Sequence, residues 1–275
     1  MHARRGDLHL FQIYYSAATR QALEAGYTPL DNSSNERPDW REYWPIRRYF
    51  HDHPPRDDDY YGFFSPAFRA KTRLEPHTVL DFIDGQRDGA DVLLFSPFFD
   101  QIAFFLNCWE QGAAAHAGSR AVFVDSLALV APEFRLEETV GCSRNTVYCN
   151  YFLARGAFWR EWLARCERVF ASAEAGTTPL GRALAAPLDY KSEGAPAKVF
   201  VIERVAAAML ATEARWRVRA YNPLLLPFSQ MPISAFGAEL AALDALKIAY
   251  LAEGRTQYLD AFFRLRAQLA RATRP

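Results

Sequence analysis

Apolar residues follow two patterns along this chain, as short continuous runs and as longer stretches where they recur every third or fourth position. The runs "LHLFQIYY" (8–15), "DDDYYGFF" (57–64), "ADVLLF" (90–95), "NTVYCNYFLA" (145–154) and "WRVRAYN" (216–222) predict strands. The periodic stretches predict helices between them. "DWREYWPIRRYF" (39–50) starts at Asp39 as cap, with Pro45 straining its middle, and "EPHTVLDFIDGQ" (75–86) follows. In "SPFFDQIAFFLNCWEQG" (96–112) Ser96 fits an N-cap and Pro97 the first helical position, with Phe98, Ile102, Phe105 and Trp109 along one face. Over 119–134 the pattern fits helix or strand, with helix preferred, and further helices are expected over 155–176 with Phe158, Trp162, Cys166 and Val169 on one face, and over 197–214. Ser16 is placed to cap a short helix, and "GYTPLDNSSNERP" (26–38) reads as loop.

Strands alternating with helices predict an α/β fold, a mainly parallel sheet flanked by helices, followed by a helical tail over 235–272 that breaks at Gly254. No linker separates domains, so 1–275 is read as one unit.

Lysines and arginines equal aspartates and glutamates in number, 32 each, which removes the long-range field that steers proteins to nucleic acid or an anionic membrane. Cys108, Cys142, Cys149 and Cys166 form no C-x-x-C and no secreted framework, and neither a signal peptide nor a run of about 20 apolar residues is seen. A cytoplasmic protein with reduced thiols is the expectation.

Candidate chemistry concentrates at the ends of the predicted strands. In "YYGFFSPAFRAK" an aromatic strand stops at Ser65-Pro66 and delivers Arg69 and Lys71. In an open α/β sheet ligands bind outside the carboxyl ends of the strands, so these residues either meet a phosphate or form a solvated turn. Gln12 and Tyr14 end the first strand and either touch a nucleobase or belong to the sheet. Glu203 and Arg204 are adjacent charges inside the apolar helix "VFVIERVAAAML"; they either form an internal ion pair or serve a site. Asn150 ends a presumed core strand, where structural hydrogen bonding competes with ligand contact. Asp57–Asp59 either hold a divalent ion or form a solvated turn, and the turn is favoured because they precede the strand rather than follow it; the His51, His53 pair has no third ligand nearby. Phosphate-loop, dinucleotide and serine-nucleophile signatures are absent.

The islands "DDDYYGFFSPAFRAK", "ADVLLF", "YCNYFLARGAFWREWL" and "VFVIERVAAAML" resemble, in order, a family of bacterial capsule and lipopolysaccharide glycosyltransferases. That family has a D-Y-I-G-L strand followed by His-Tyr-Arg-Arg, an N-M-F-I-M strand, an F-x-x-Y-x-x-W-L helix and a G-Y-x-x-E-R-L helix. Tyr60–Phe64, Asn150–Ala154, Phe158 with Trp162, and Glu203–Arg204 match these in turn, and "WREYW" with Glu42 is similar to its E-L-T-x-x-Y-W helix. The resemblance implies a GT-A type fold, with 8–130 as nucleotide-binding half, 131–234 as acceptor side and 235–275 as tail. It also implies a nucleotide-sugar donor and a glycan or lipid-linked acceptor. Two departures stand out: Ser65–Arg69 replace His-Tyr-Arg-Arg, and no Asp-x-Asp motif for Mn²⁺ or Mg²⁺ ends a strand, only Asp125 in "FVDSLA". A metal-independent transferase would then neutralise its leaving diphosphate with Arg69 and Lys71, using Glu203 as base and Gln12, Tyr14, Ser65, Asn150 and Arg204 for binding. The alternative is a non-catalytic scaffold of the same fold.

Overall fold

The computed structural model describes residues 6–188 and 194–273; the first five residues of the amino-terminal stretch and the last two of the tail lie outside them. In chain order the elements are β1 (Leu8–Tyr14), α1 (Ala17–Gln21), β2 (Thr28–Asp31), α2 (Tyr43–Asp52), β3 (Tyr60–Phe64), α3 (Phe68–Thr72), α4 (Pro76–Gln86) and β4 (Val92–Leu94). Then come α5 (Phe99–Phe104), α6 (Cys108–Ala115), α7 (Arg120–Val130), β5 (Phe152–Arg155), α8 (Gly156–Ala175), α9 (Pro179–Ala185), β6 (Pro187–Leu188) and β7 (Ala195–Pro196). The last are α10 (Ala197–Thr212), β8 (Val218–Ala220), α11 (Gly237–Glu253) and α12 (Thr256–Ala272).

Six strands form the main sheet in the order β2-β1-β3-β5-β4-β8. All are parallel except β5, which lies antiparallel between β3 and β4. The expected α/β architecture is therefore present, with one reversed strand inside it. Strand alternation sorts the side chains to two buried faces. Phe11, Ile13, Tyr61, Phe63, Val92, Leu94, Phe152 and Ala154 face α2, α8 and α10, whereas Leu10, Tyr60, Phe64, Leu93 and Leu153 face α3 and α4. A third cluster packs α11 and α12 against α5. No helix among the described residues is long and apolar enough to cross a membrane.

Several boundaries differ from the expectation. The stretch read as loop contains β2, an edge strand with exposed or half-buried residues and therefore no apolar signature. Helix α2 starts at Tyr43, because Asp39 pairs instead with Arg37 and Lys198; Pro45 thus falls in the first turn, where a missing N–H costs nothing. Ser96 does not cap a helix: its hydroxyl accepts from the Tyr148 backbone N–H at 2.8 Å, and the following helix is split in two. Asn107 restarts it as α6, accepting from the backbones of Trp109 and Glu110. The predicted strand over 145–154 is reduced to β5, because Cys149 and Asn150 both adopt positive φ. Ser16, in contrast, does cap α1, through a reciprocal pair with Thr19.

Candidate active site

Strands β1, β2, β3, β4 and β8 run in one direction, so their carboxyl ends share an edge. A cleft lies along it. Its larger end is a cavity of about 590 Å³ whose walls include Lys71, Phe98, Gln111, Tyr148, Glu203 and Arg204. Its smaller end, about 300 Å³, lies beyond β1 and β2 against Tyr15, Asn32, Asn35 and Pro38. A narrow pocket on Ser65, Cys149 and Asn150 opens beside the larger cavity. Arg41 and Glu42 line all three spaces.

Glu203 comes from α10, a helix buried along most of its length. Helical spacing puts Val199, Phe200 and Glu203 on one face, and all three line the larger cavity. Glu203 is half-buried and makes no hydrogen bond among the described residues. Burial pushes its pKa above the ordinary carboxylate value, against the pull of Arg204, Lys71 and Arg41, while Glu42 adds to the rise.

Lys71 projects from α3 toward the same space. Its ammonium donates to Cys149 Sγ at 3.2 Å and stands 5.8 Å from the Tyr151 ring centroid. Burial opposes its charge, but Cys149, Tyr151 and Glu203 outweigh that and raise its pKa. Burial also pushes the Cys149 thiol up to about 11, so at neutral pH this sulfur carries no charge. Glu203 is then the carboxylate that Lys71 faces.

Arg204 is not paired with its neighbour. Its guanidinium donates to the carbonyls of Cys108 (2.9 Å) and Phe200 (2.8 Å) and to Gln111 Oε1 (2.8 Å). It lies so close to Gly112 that a Cβ there would stand 2.6 Å from Nε. Arg204 therefore builds the cavity wall and joins α10 to α6. Ser65 gives its hydroxyl to a 2.8 Å bond with Tyr151, and α3 begins at Phe68 with Ala67 before it, so Ser65 caps no helix.

The remaining expected residues fall elsewhere. Gln12 and Tyr14 share a face of β1 with Leu10, toward α3 rather than the cleft. Gln12 accepts from the Glu24 backbone N–H at 2.8 Å, and Asp31 beside Tyr14 raises the pKa of its hydroxyl. Arg69 is two positions from Lys71, which on a helix is about 200° of rotation. It faces a separate cavity of about 700 Å³ with Gln12, and pairs with Glu24 and Glu75. Arg69 and Lys71 therefore cannot grip one diphosphate.

Asn150 does reach the cleft, and its Oδ1 is buried without a hydrogen-bond partner among the described residues; the same holds for Tyr148 Oη and Asn32 Oδ1. Such atoms cost about 1–3 kcal/mol each unless something satisfies them. Backbone strain gathers here too. Among the described residues seven non-glycines have positive φ, and five of them, Asn35, Arg41, Phe98, Cys149 and Asn150, line the cleft. Asn32, Arg41 and Tyr148 escape a reading of the sequence, since an asparagine in a polar loop and an exposed arginine carry no signal. No three His, Cys, Asp or Glu side chains among the described residues come together as a metal-binding group.

Comparison with models of known protein families, with curated proteins and with solved structures finds no match.

Proposed function

We propose that the protein transfers a glycosyl group from a nucleotide sugar to a glycan acceptor on a GT-A type sheet. The observation that carries this reading is the presence of Glu203 and Lys71 in the wall of one cleft at the carboxyl edge of the sheet. A raised carboxylate without hydrogen bonds is suited to take the proton of an acceptor hydroxyl. As that oxygen bonds the anomeric carbon, the bond to the diphosphate breaks and its electron pair leaves with the phosphate oxygen. A fixed ammonium such as Lys71 stabilises the charge that develops there. The nucleoside fits the smaller end, beside the exposed ring of Tyr15 and the unpartnered Asn32, in place of Gln12 and Tyr14.

The test is thermal denaturation with nucleoside diphosphates and nucleotide sugars, with and without Mn²⁺ or Mg²⁺, followed by release of nucleoside diphosphate from the sugar that binds. Saturation at a hundred times Kd stabilises the fold by about 2.7 kcal/mol. Glu203→Gln keeps that stabilisation and loses turnover about 100-fold or more. Absence of any shift refutes the reading, and binding without release favours the non-catalytic alternative.

A further inference from the structure

We infer that Arg41 is a diphosphate anchor, set in advance by a strained backbone at the junction of the cleft's two ends. This rests on the nucleotide-sugar reading and adds a residue that neither the sequence pattern nor the family resemblance singles out.

Position is the first argument. Arg41 is the one cation among the described residues that lines the nucleoside end, the narrow pocket and the larger cavity alike. Lys71 borders only the last two. A ligand with its base in the 300 Å³ end and its sugar near Glu203 in the 590 Å³ cavity has its diphosphate in between, at Arg41. Arg41 is exposed and has no ion pair or hydrogen bond from its side chain among the described residues, although Glu42 is its neighbour. Its guanidinium is therefore available, and its planar fork suits phosphate oxygens. Asn32 Oδ1 on one side and Asn150 Oδ1 on the other are buried and unpartnered among the described residues, and as acceptors they suit the N–H of a base and a sugar hydroxyl on either side of the diphosphate.

Conformation is the second argument. Arg41 has φ 49° and ψ −135°, a region proteins reserve almost wholly for glycine. Such a backbone persists only where its surroundings over-determine it, and here they do. Trp40 and Tyr43 on either side are 1 % and 2 % exposed. Trp40 donates to Glu174 at 3.0 Å and lies 4.1 Å under the Lys198 ammonium. Tyr43 donates to Glu167 at 2.6 Å, and Arg37 makes two 3.0 Å bonds to Asp39 and one of 2.6 Å to Glu174. Four residues are thus bolted to α8 and α10, and Arg41 is held between them with its side chain turned out to the cleft. Glycine would fit that backbone without strain. An arginine there gives up stability to place a charge.

Arg41→Gly separates the two effects, with Arg41→Lys keeping the charge but not the fork. Ligand-free melting temperature and affinities for a nucleoside and its diphosphate are measured for each and for the wild type. The expected result for Arg41→Gly is a melting temperature about 2 °C or more above wild type. Its affinity for the diphosphate falls at least about 10-fold, while affinity for the bare nucleoside is unchanged. Arg41→Lys recovers part of the loss. If the wild type binds the diphosphate and Arg41→Gly binds it equally well, the anchor is refuted and the glycosyltransferase reading stands. A lower melting temperature for Arg41→Gly refutes the presetting. A wild type that binds no nucleotide refutes both.

Discussion

Because Glu203 is half-buried without a hydrogen bond among the described residues, its environment bears on both rate and stability. As a base it must be ionised, so turnover falls as pH drops through its raised pKa, and the acid limb of a kcat–pH profile is expected above the ordinary carboxylate range. For stability the sign is opposite. A group whose pKa rises on folding adds stability below its unfolded pKa and loses it as pH climbs through the folded one. Glu203→Gln is therefore expected to melt at or above the wild-type temperature at pH 7, with the difference closing near pH 4. A variant that melts lower at pH 7 would show that the carboxylate is stabilising where it stands. Glu203 was legible because a charge in an apolar helix needs a reason. Arg41 was not, because what marks it is a backbone angle, and angles leave no trace in composition.

At the scale of elements, legibility largely follows burial, although β8, an edge strand with no buried residue, was read as well. Strands β1, β3 and β4 are buried and read clearly as apolar runs, whereas β2 at the edge did not. The helix expected from Ser96 to Gly112 is split in two; Ile102 and Trp109 of its expected face are buried, whereas Phe98 and Phe105 flank the first piece half-buried, and Asn107 followed by Glu110 is a start signal that could have divided it. The tail was correctly read as helical with a break at Gly254, which takes φ 69°. Its attachment could not be read. Lys247 of α11 is fully buried and donates to the carbonyls of Ile102 (2.5 Å) and Phe105 (2.7 Å), closing the end of α5. Burial lowers its pKa to about 8, against the opposing pull of Asp244. A depressed pKa contributes stability that is present above the unfolded value and lost as pH falls through the folded one. Lys247→Met leaves those carbonyls without a donor at any pH. Its destabilisation, about 1–3 kcal/mol, is expected to be larger at pH 9.5 than at pH 7, where the wild type also holds a buried charge. Equal effects at the two pH values would show that Lys247 does not titrate in that range.

Across the whole molecule one sheet joins the two expected halves: β5 and β8, from 131–234, lie beside the strands contributed by 8–130. The six tryptophans all lie outside α11 and α12. Fluorescence therefore reports the sheet and its helices, whereas circular dichroism at 222 nm includes the tail. The third cluster, with Leu240, Leu243 and Phe262 fully buried, joins the tail to α5 tightly enough that both signals are expected to melt together. An earlier loss of ellipticity would mean that the tail leaves first.

The reversed strand between β3 and β4 also has a bearing on how the chain is made. Both neighbours leave the ribosome well before the strand that must sit between them. At about 5–20 residues per second, β3 waits roughly 5–20 s for β5. Throughout that interval two apolar strands present unpaired edges that could join each other in the wrong order or join another nascent chain. Those edges close only once residue 155 has emerged, so a chain halted before that point is expected to aggregate more readily than one halted after it.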